Sequence, residues 1–307
     1  MNNATSHRQT LYGLTADIHF LDLLNQPQLS GKVEQVFNKA INVRIDNQLF
    51  TLLASQLDNA PNSCRLLNKD FALLNINGGD DFHISNGKIS IGESYWLSFS
   101  LCKLWQQPVI AFTYDKANKK NYQSFLLKQV AQLDLILTEA KGSLFNYQGD
   151  NVFYLASAEK LNQLRSHLMS VLKDQQHQNL ADIVRQFIGL GIGLTPSGDD
   201  YLVGVMAFLL LRNHPVNENY PGFHQGVIQG IDNTTPVSAI TLEKALVHEY
   251  RENMCQLIQS LVDADETNIH LQFLNILNIG SSSGSDMLFG IRDALYLTHY
   301  FGERYVD

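Results

Sequence analysis

One segment constrains this chain more than any other: Gly189-Leu190-Gly191-Ile192-Gly193-Leu194-Thr195-Pro196-Ser197-Gly198-Asp199-Asp200. Glycines at alternate positions give a backbone that bends tightly and can be approached closely. The Thr-Pro-Ser-Gly run that follows is written as a helix start. Two adjacent carboxylates come next, and then the apolar run Tyr201 to Leu211. A polar, turn-forming loop therefore feeds straight into an apolar helix. The stretch Leu202 to Leu211 is too short to cross a bilayer and contains Gly204, so it reads as a core helix.

Two later segments look related. Thr234-Thr235-Pro236-Val237-Ser238 repeats the Thr-Pro-x-hydroxyl form, with Thr235 as N-cap of a helix expected from Pro236 to Val262. Further on, Ser283-Gly284-Ser285-Asp286-Met287-Leu288-Phe289-Gly290 echoes Ser197 to Gly204. Serine, glycine, aspartate, leucine and the final glycine recur in register, which points to an internal duplication or to two equivalent caps. All three segments share one physical property. The first turn of a helix has amides without intrahelical partners, and its dipole is positive there. Glycine nearby lets an anion reach those amides.

These features nominate a shared pocket. Gly191, Gly193, Thr195, Ser197, Gly198, Thr235, Ser238, Ser283 and Gly284 are the candidate substrate-binding residues, and Asp199, Asp200 and Asp286 the candidate catalytic ones. Asp199 and Asp200 could hold a magnesium ion bridging to a phosphate, or accept hydrogen bonds from a substrate amide. Asp200 is the stronger of the two because Asp286 recurs at its equivalent position. The plainer alternative is that these residues are ordinary caps, since S-x-x-D also fits a capping box, and that Gly204 and Gly290 only let helices pack closely.

Composition narrows the partners. A net charge of -8 argues against nucleic acid or an anionic membrane surface, while leaving room for a small anion. Cys64, Cys102 and Cys255 form no C-x-x-C pair, and so sparse a count fits a cytoplasmic protein. The polar segment Met1 to Thr10 has no apolar signal core. The histidines form no H-E-x-x-H pattern, and His248-Glu249 reads as a surface pair. Arg185 and Arg292 are the nearest cations in sequence to the motifs. With no Walker lysine and no G-x-G-x-x-G, P-loop and dinucleotide readings fail.

The fold expected is α+β: a β-rich barrel or sandwich-like domain over residues 1–120, then a mostly helical domain over 121–307. Hairpins are expected at Asp46-Asn47 and Asn86-Gly87. Further strands are expected at Phe71–Ile76, Ser94–Leu101 and Val109–Tyr114, with turn signals at about 8–12-residue spacing. Helices are expected over Asn121–Gly142 and Glu159–Leu172, with a loop over Lys173–Asn179.

Taken together, the glycine run with Leu194-Thr195-Pro196-Ser197-Gly198-Asp199-Asp200, Thr235-Pro236-x-Ser238 and Ser283-Gly284-x-Asp286-x-Leu288-x-Gly290 resembles a bacterial family described as a subunit of oxamate carbamoyltransferase. The motif resemblance covers roughly residues 180 to 300; over the β-rich half it is one of layout. It implies a place in anaerobic allantoin catabolism, a branch of purine degradation. It also implies cleavage of oxalurate by phosphate to oxamate and carbamoyl phosphate, with related chains as partner subunits. Two rival readings remain at this point: a non-catalytic small-anion-binding or assembly protein, and a magnesium-dependent phosphotransferase.

Overall fold

The computed structural model describes residues 8–113, 120–140, 142–174 and 177–304. The chain divides into two compact units, residues 1–108 and 109–307.

The first unit is a closed barrel. Its strands are β1 (Gln9–Ala16), β2 (Gln28–Val36), β3 (Ala40–Ile45), β4 (Gln48–Leu53), β5 (Ser63–Leu66), β6 (Asp81–Ser85), β7 (Lys88–Ile91) and β8 (Tyr95–Ser98), with a short β9 (Lys103–Leu104). They lie in the order β5-β4-β3-β2-β6-β7-β8-β1, and antiparallel pairing of β1 with β5 closes the ring. Closure removes the exposed sheet edges that would otherwise recruit other strands. Both expected hairpins form, joining β3 to β4 and β6 to β7. Asn86 and Gly87 have φ of 50° and 72°, as a type I′ turn requires. Alternating residues such as Phe82 and Ile84, or Ile41 and Val43, fill the interior. Asp17 caps the short helix α1 (Ile18–Asp22) through the Phe20 amide at 2.9 Å, and its other oxygen accepts from the Asn62 amide, also at 2.9 Å.

Two expected strands are not strands. Phe71–Ile76 is a turn-rich loop pinned by buried Phe71 and Ile76, while Leu73 between them is 96% exposed. Of Val109–Tyr114, Ala111 makes an isolated bridge to Arg212 in the second unit, and Tyr114 lies outside the described residues.

The second unit is helical: α2 (Lys120–Thr138), α3 (Val152–Lys173), α4 (Leu180–Phe187), α5 (Ser197–Leu209), α6 (Tyr220–Gly230), α7 (Pro236–Leu246), α8 (Glu252–Asp263), α9 (Ile269–Leu277) and α10 (Ser283–Arg304). α2 stops at Thr138, short of Gly142, and α3 begins earlier than expected because Asn151 caps it through the Phe153 and Tyr154 amides. In the expected 173–179 loop, Lys173 ends α3 and His177–Asn179 form a 3-10 turn; residues 175 and 176 lie outside the described residues. The single helix expected from Pro236 to Val262 is two. His248 adopts φ 62°, the His248 amide donates to the Ala245 carbonyl (3.1 Å), and the Glu249 amide donates to the Lys244 carbonyl (2.8 Å). That is a Schellman termination built on histidine in place of glycine, and the Lys244–Glu249 ion pair at 2.6 Å closes it. None of the described helices is long and apolar enough to cross a membrane.

Candidate functional site

The glycine motif and its echo open the helices that pack most intimately. Every residue of α5 is buried, and α10 lies directly against it. A Cβ on Gly204 would stand 2.0 Å from the Met287 carbonyl oxygen, and one on Gly290 would stand 2.1 Å from the Tyr201 carbonyl oxygen. Met287 and Tyr201 occupy equivalent places in the sequence repeat. The two contacts are therefore one contact repeated by a local pseudo-two-fold relation, and the glycines are there so that the backbones can touch.

The same relation governs the helix starts. The Ser197 hydroxyl faces the Asp286 carboxylate, and the Ser283 hydroxyl faces Asp200. Thr195, just ahead of α5, bonds to Ser283 (Oγ1···Oγ 2.6 Å) and also faces Asp200. Each aspartate is thus held by the serine that opens the other helix. Ser143 adds a further hydroxyl, donating to Asp286 Oδ1 at 2.5 Å. Asp200 and Asp286 are 2% and 0% exposed, and the Oδ2 atom of each has no hydrogen-bond partner. Burial pushes Asp286 up to about 7, against the pull of the Ser143, Ser197 and Ser282 hydroxyls. Asp200 is raised well above the usual carboxylate range, first by burial and then by the charge of Asp286. Two buried acids that repel one another share protons as a pair.

Asp199 has a different task. Its Oδ1 accepts from the Gly189 amide at 2.8 Å, and its Oδ2 accepts from the Thr234 hydroxyl. Ser238 also faces it, and burial raises its pKa above the ordinary carboxylate value. Asp199 therefore ties the glycine loop to the segment before α7. The Thr235 hydroxyl donates to the Leu194 carbonyl and accepts from the Ser238 amide at 3.2 Å, which makes it both N-cap and tether. Through these bonds the three sequence-nominated helix starts come together in one place.

Not every first-turn amide is available. The Gly198 amide donates to the Leu190 carbonyl, and the Gly284 amide to the Ile279 carbonyl, each at 2.9 Å. The loop between these anchors is longer at α5, where Ile192-Gly193-Leu194-Thr195-Pro196 stand in place of Ser281-Ser282. Gly189, Gly191 and Gly193 all take positive φ, and Gly193 and Leu194 are exposed. The loop thus forms the outer rim, the hydroxyls of Thr195 and Ser283 lie half-buried behind it, and the two acids are deepest.

The sequence cations are elsewhere engaged. Arg185 pairs with Asp182 at 3.6 Å, and Arg292 binds Asp134 at 2.8 Å and Asp293 at 3.2 Å. Asp293, which no motif singles out, accepts from Arg165 at 2.6 and 2.8 Å and from the Tyr201 hydroxyl at 2.8 Å. This network braces α3, α5 and α10 beneath the acids. Its members are far apart in sequence, and only the seven-residue step from Asp286 to Asp293, two helical turns on one face, could have hinted at it. Among the described residues no three His, Cys, Asp or Glu side chains cluster as metal ligands. A cleft of about 1100 Å³ lies on the barrel beside Arg8, His83, Lys88 and Trp96, and none of the nominated residues lines it.

Comparison with known families gives two matches. Residues 187–295 match the model described as oxamate carbamoyltransferase subunit AllH, and residues 12–104 match the AllH family N-terminal domain. No solved structure matches the chain.

Proposed function

The chain belongs to the AllH family of oxamate carbamoyltransferase subunits, and from that premise we propose that its helical unit binds the small anionic reactants of carbamoyl transfer at the joined starts of α5 and α10. The reaction is phosphorolysis of oxalurate. A phosphate oxygen attacks the carbamoyl carbon, the carbon–nitrogen bond to oxamate breaks, and carbamoyl phosphate leaves. The anion sits against the loop from Gly191 to Thr195 and the hydroxyls of Thr195, Thr235 and Ser283. Ser197, Gly198, Ser238 and Gly284 form the helix starts behind them, and Asp199 holds the loop in shape.

The observation that carries this reading is the acid pair. Two ionised carboxylates would repel a phosphate; a pair that keeps a proton presents an O–H donor instead. The same proton can pass to the oxamate nitrogen as the bond to it breaks, and the pair can take a proton back in the reverse direction. An acid whose ionisation lies near neutral pH is suited to both. A preorganised donor beside the tetrahedral intermediate also stabilises its oxyanion. No covalent nucleophile is needed, because the site aligns the two reactants. A magnesium role for Asp199 is weaker, since both its oxygens are already bonded within the loop clamp.

The test is carbamoyl phosphate formation from oxalurate and phosphate in the cytoplasmic pH range. The chain is assayed alone and with partner subunits of the same enzyme. Turnover that survives chelation and falls at least a hundredfold in Asp200→Asn is expected. Ligand binding without turnover, even with the partners present, would return the chain to a non-catalytic anion-binding or assembly role. Turnover abolished by chelation would favour the phosphotransferase chemistry.

A further inference from the structure

The barrel unit brings together two of the chain's three cysteines. Cys64 lies on β5 and Cys102 immediately precedes β9, and these strands flank β1 on its two sides. The strand between them is open where they meet. A Cβ on Gly13 of β1 would lie 3.2 Å from Cys64 Sγ and 3.3 Å from Cys102 Sγ, so the missing side chain leaves one space that both sulfurs enter. Their other contacts are weak, 3.8 Å from Cys64 Sγ to the Arg65 carbonyl and 3.9 Å from Cys102 Sγ to the Lys103 carbonyl. The pair is asymmetric, since Cys64 is fully buried and Cys102 partly exposed. Cys255, in the helical unit, is buried and directs its Sγ to the Tyr250 carbonyl at 3.4 Å.

We propose that Cys64 and Cys102 form a peroxide-sensitive pair that closes to a reversible intramolecular disulfide. Cys102 reacts first because it is the accessible thiol. Its interaction with Cys64 also lowers its pKa below that of a free thiol, whereas hydrogen bonding to Cys102 and then burial raise that of Cys64. The Cys102 thiolate attacks peroxide, the S–O bond forms, the O–O bond breaks, and hydroxide leaves as water after taking a proton. Cys64 then attacks the sulfenic sulfur; the S–S bond forms, the S–O bond breaks, and a second water leaves with the Cys64 proton. Two thiols lose two electrons and one peroxide becomes two waters. A bond spanning an intervening strand departs from relaxed disulfide geometry, which makes it easy to reduce.

The experiment treats the reduced full-length chain with hydrogen peroxide, alkylates the remaining thiols and maps the unreduced peptides. We expect one linked peptide joining Cys64 to Cys102, Cys255 alkylated, and full recovery of thiols with dithiothreitol. In Cys64→Ser, Cys102 should instead accumulate as a sulfenic acid trapped by dimedone; in Cys102→Ser, no thiol should be lost at the same dose. All thiols remaining free in the wild-type chain, Cys102 oxidised with Cys64 still free, or linkage through Cys255 would each overturn the proposal. The wild-type map decides even where a variant does not fold.

Discussion

Asp286 shows what one residue contributes at this site. Its carboxyl, lifted by burial to about 7, is neutral over a range in which an ordinary aspartate is ionised. An acid raised in the folded state stabilises the fold fully below its unfolded ionisation near pH 4 and loses that contribution as the pH climbs through 7. The span corresponds to at most about 4 kcal/mol. Asp286→Asn, which mimics the neutral acid, should flatten this dependence. Thermal unfolding of parent and variant between pH 4 and pH 8 should show the parent losing stability relative to the variant as the pH rises. Parallel curves would mean that Asp286 ionises normally. Asp200 and Asp286 were legible in the sequence because the repeat aligned them. The work of Asp199 was not, because two adjacent carboxylates look alike until the Gly189 amide and the Thr234 hydroxyl are seen to occupy one of them. Ser143 lies 143 residues from Asp286 and carries no local signal.

At the scale of elements, the site depends on how closely α5 and α10 approach. Gly204→Ala would drive a methyl group into the Met287 carbonyl, and Gly290→Ala would do the same at Tyr201. In an exposed helix the glycine-to-alanine change is favourable by about 1 kcal/mol; here the overpacking should instead destabilise by about 1–3 kcal/mol. Denaturant unfolding of each variant gives the sign, and a gain in stability would contradict the packing. The equivalence of the two positions further predicts losses of similar size. The hairpins were readable because Asn-Gly and Asp-Asn carry their own turn geometry. The division between α7 and α8 was hidden because His248, not glycine, takes the left-handed conformation there. Phe71–Ile76 misled because two apolar anchors bracket a loop, a pattern that resembles a short strand until the exposure of Leu73 is known. β1 and β2 carry mixed polar faces and β5 is short, so neither alternation nor turn signals mark them strongly.

For the molecule as a whole, the barrel and the helical unit each close a hydrophobic core of their own, and the proposed chemistry lies entirely within the second. The central claim is that anionic reactants bind beside an acid pair that retains a proton. An anion placed there must raise the pKa of both acids further, so binding near or above pH 7 must draw protons from solution. Titration calorimetry of phosphate and of oxamate, repeated in buffers of different ionisation enthalpy, measures that uptake directly. Net proton uptake on binding is expected at about pH 7.5 in the parent chain, with reduced uptake and weaker binding in Asp200→Asn and Asp286→Asn. Binding with no linked proton, or with uptake unchanged in both variants, would contradict it.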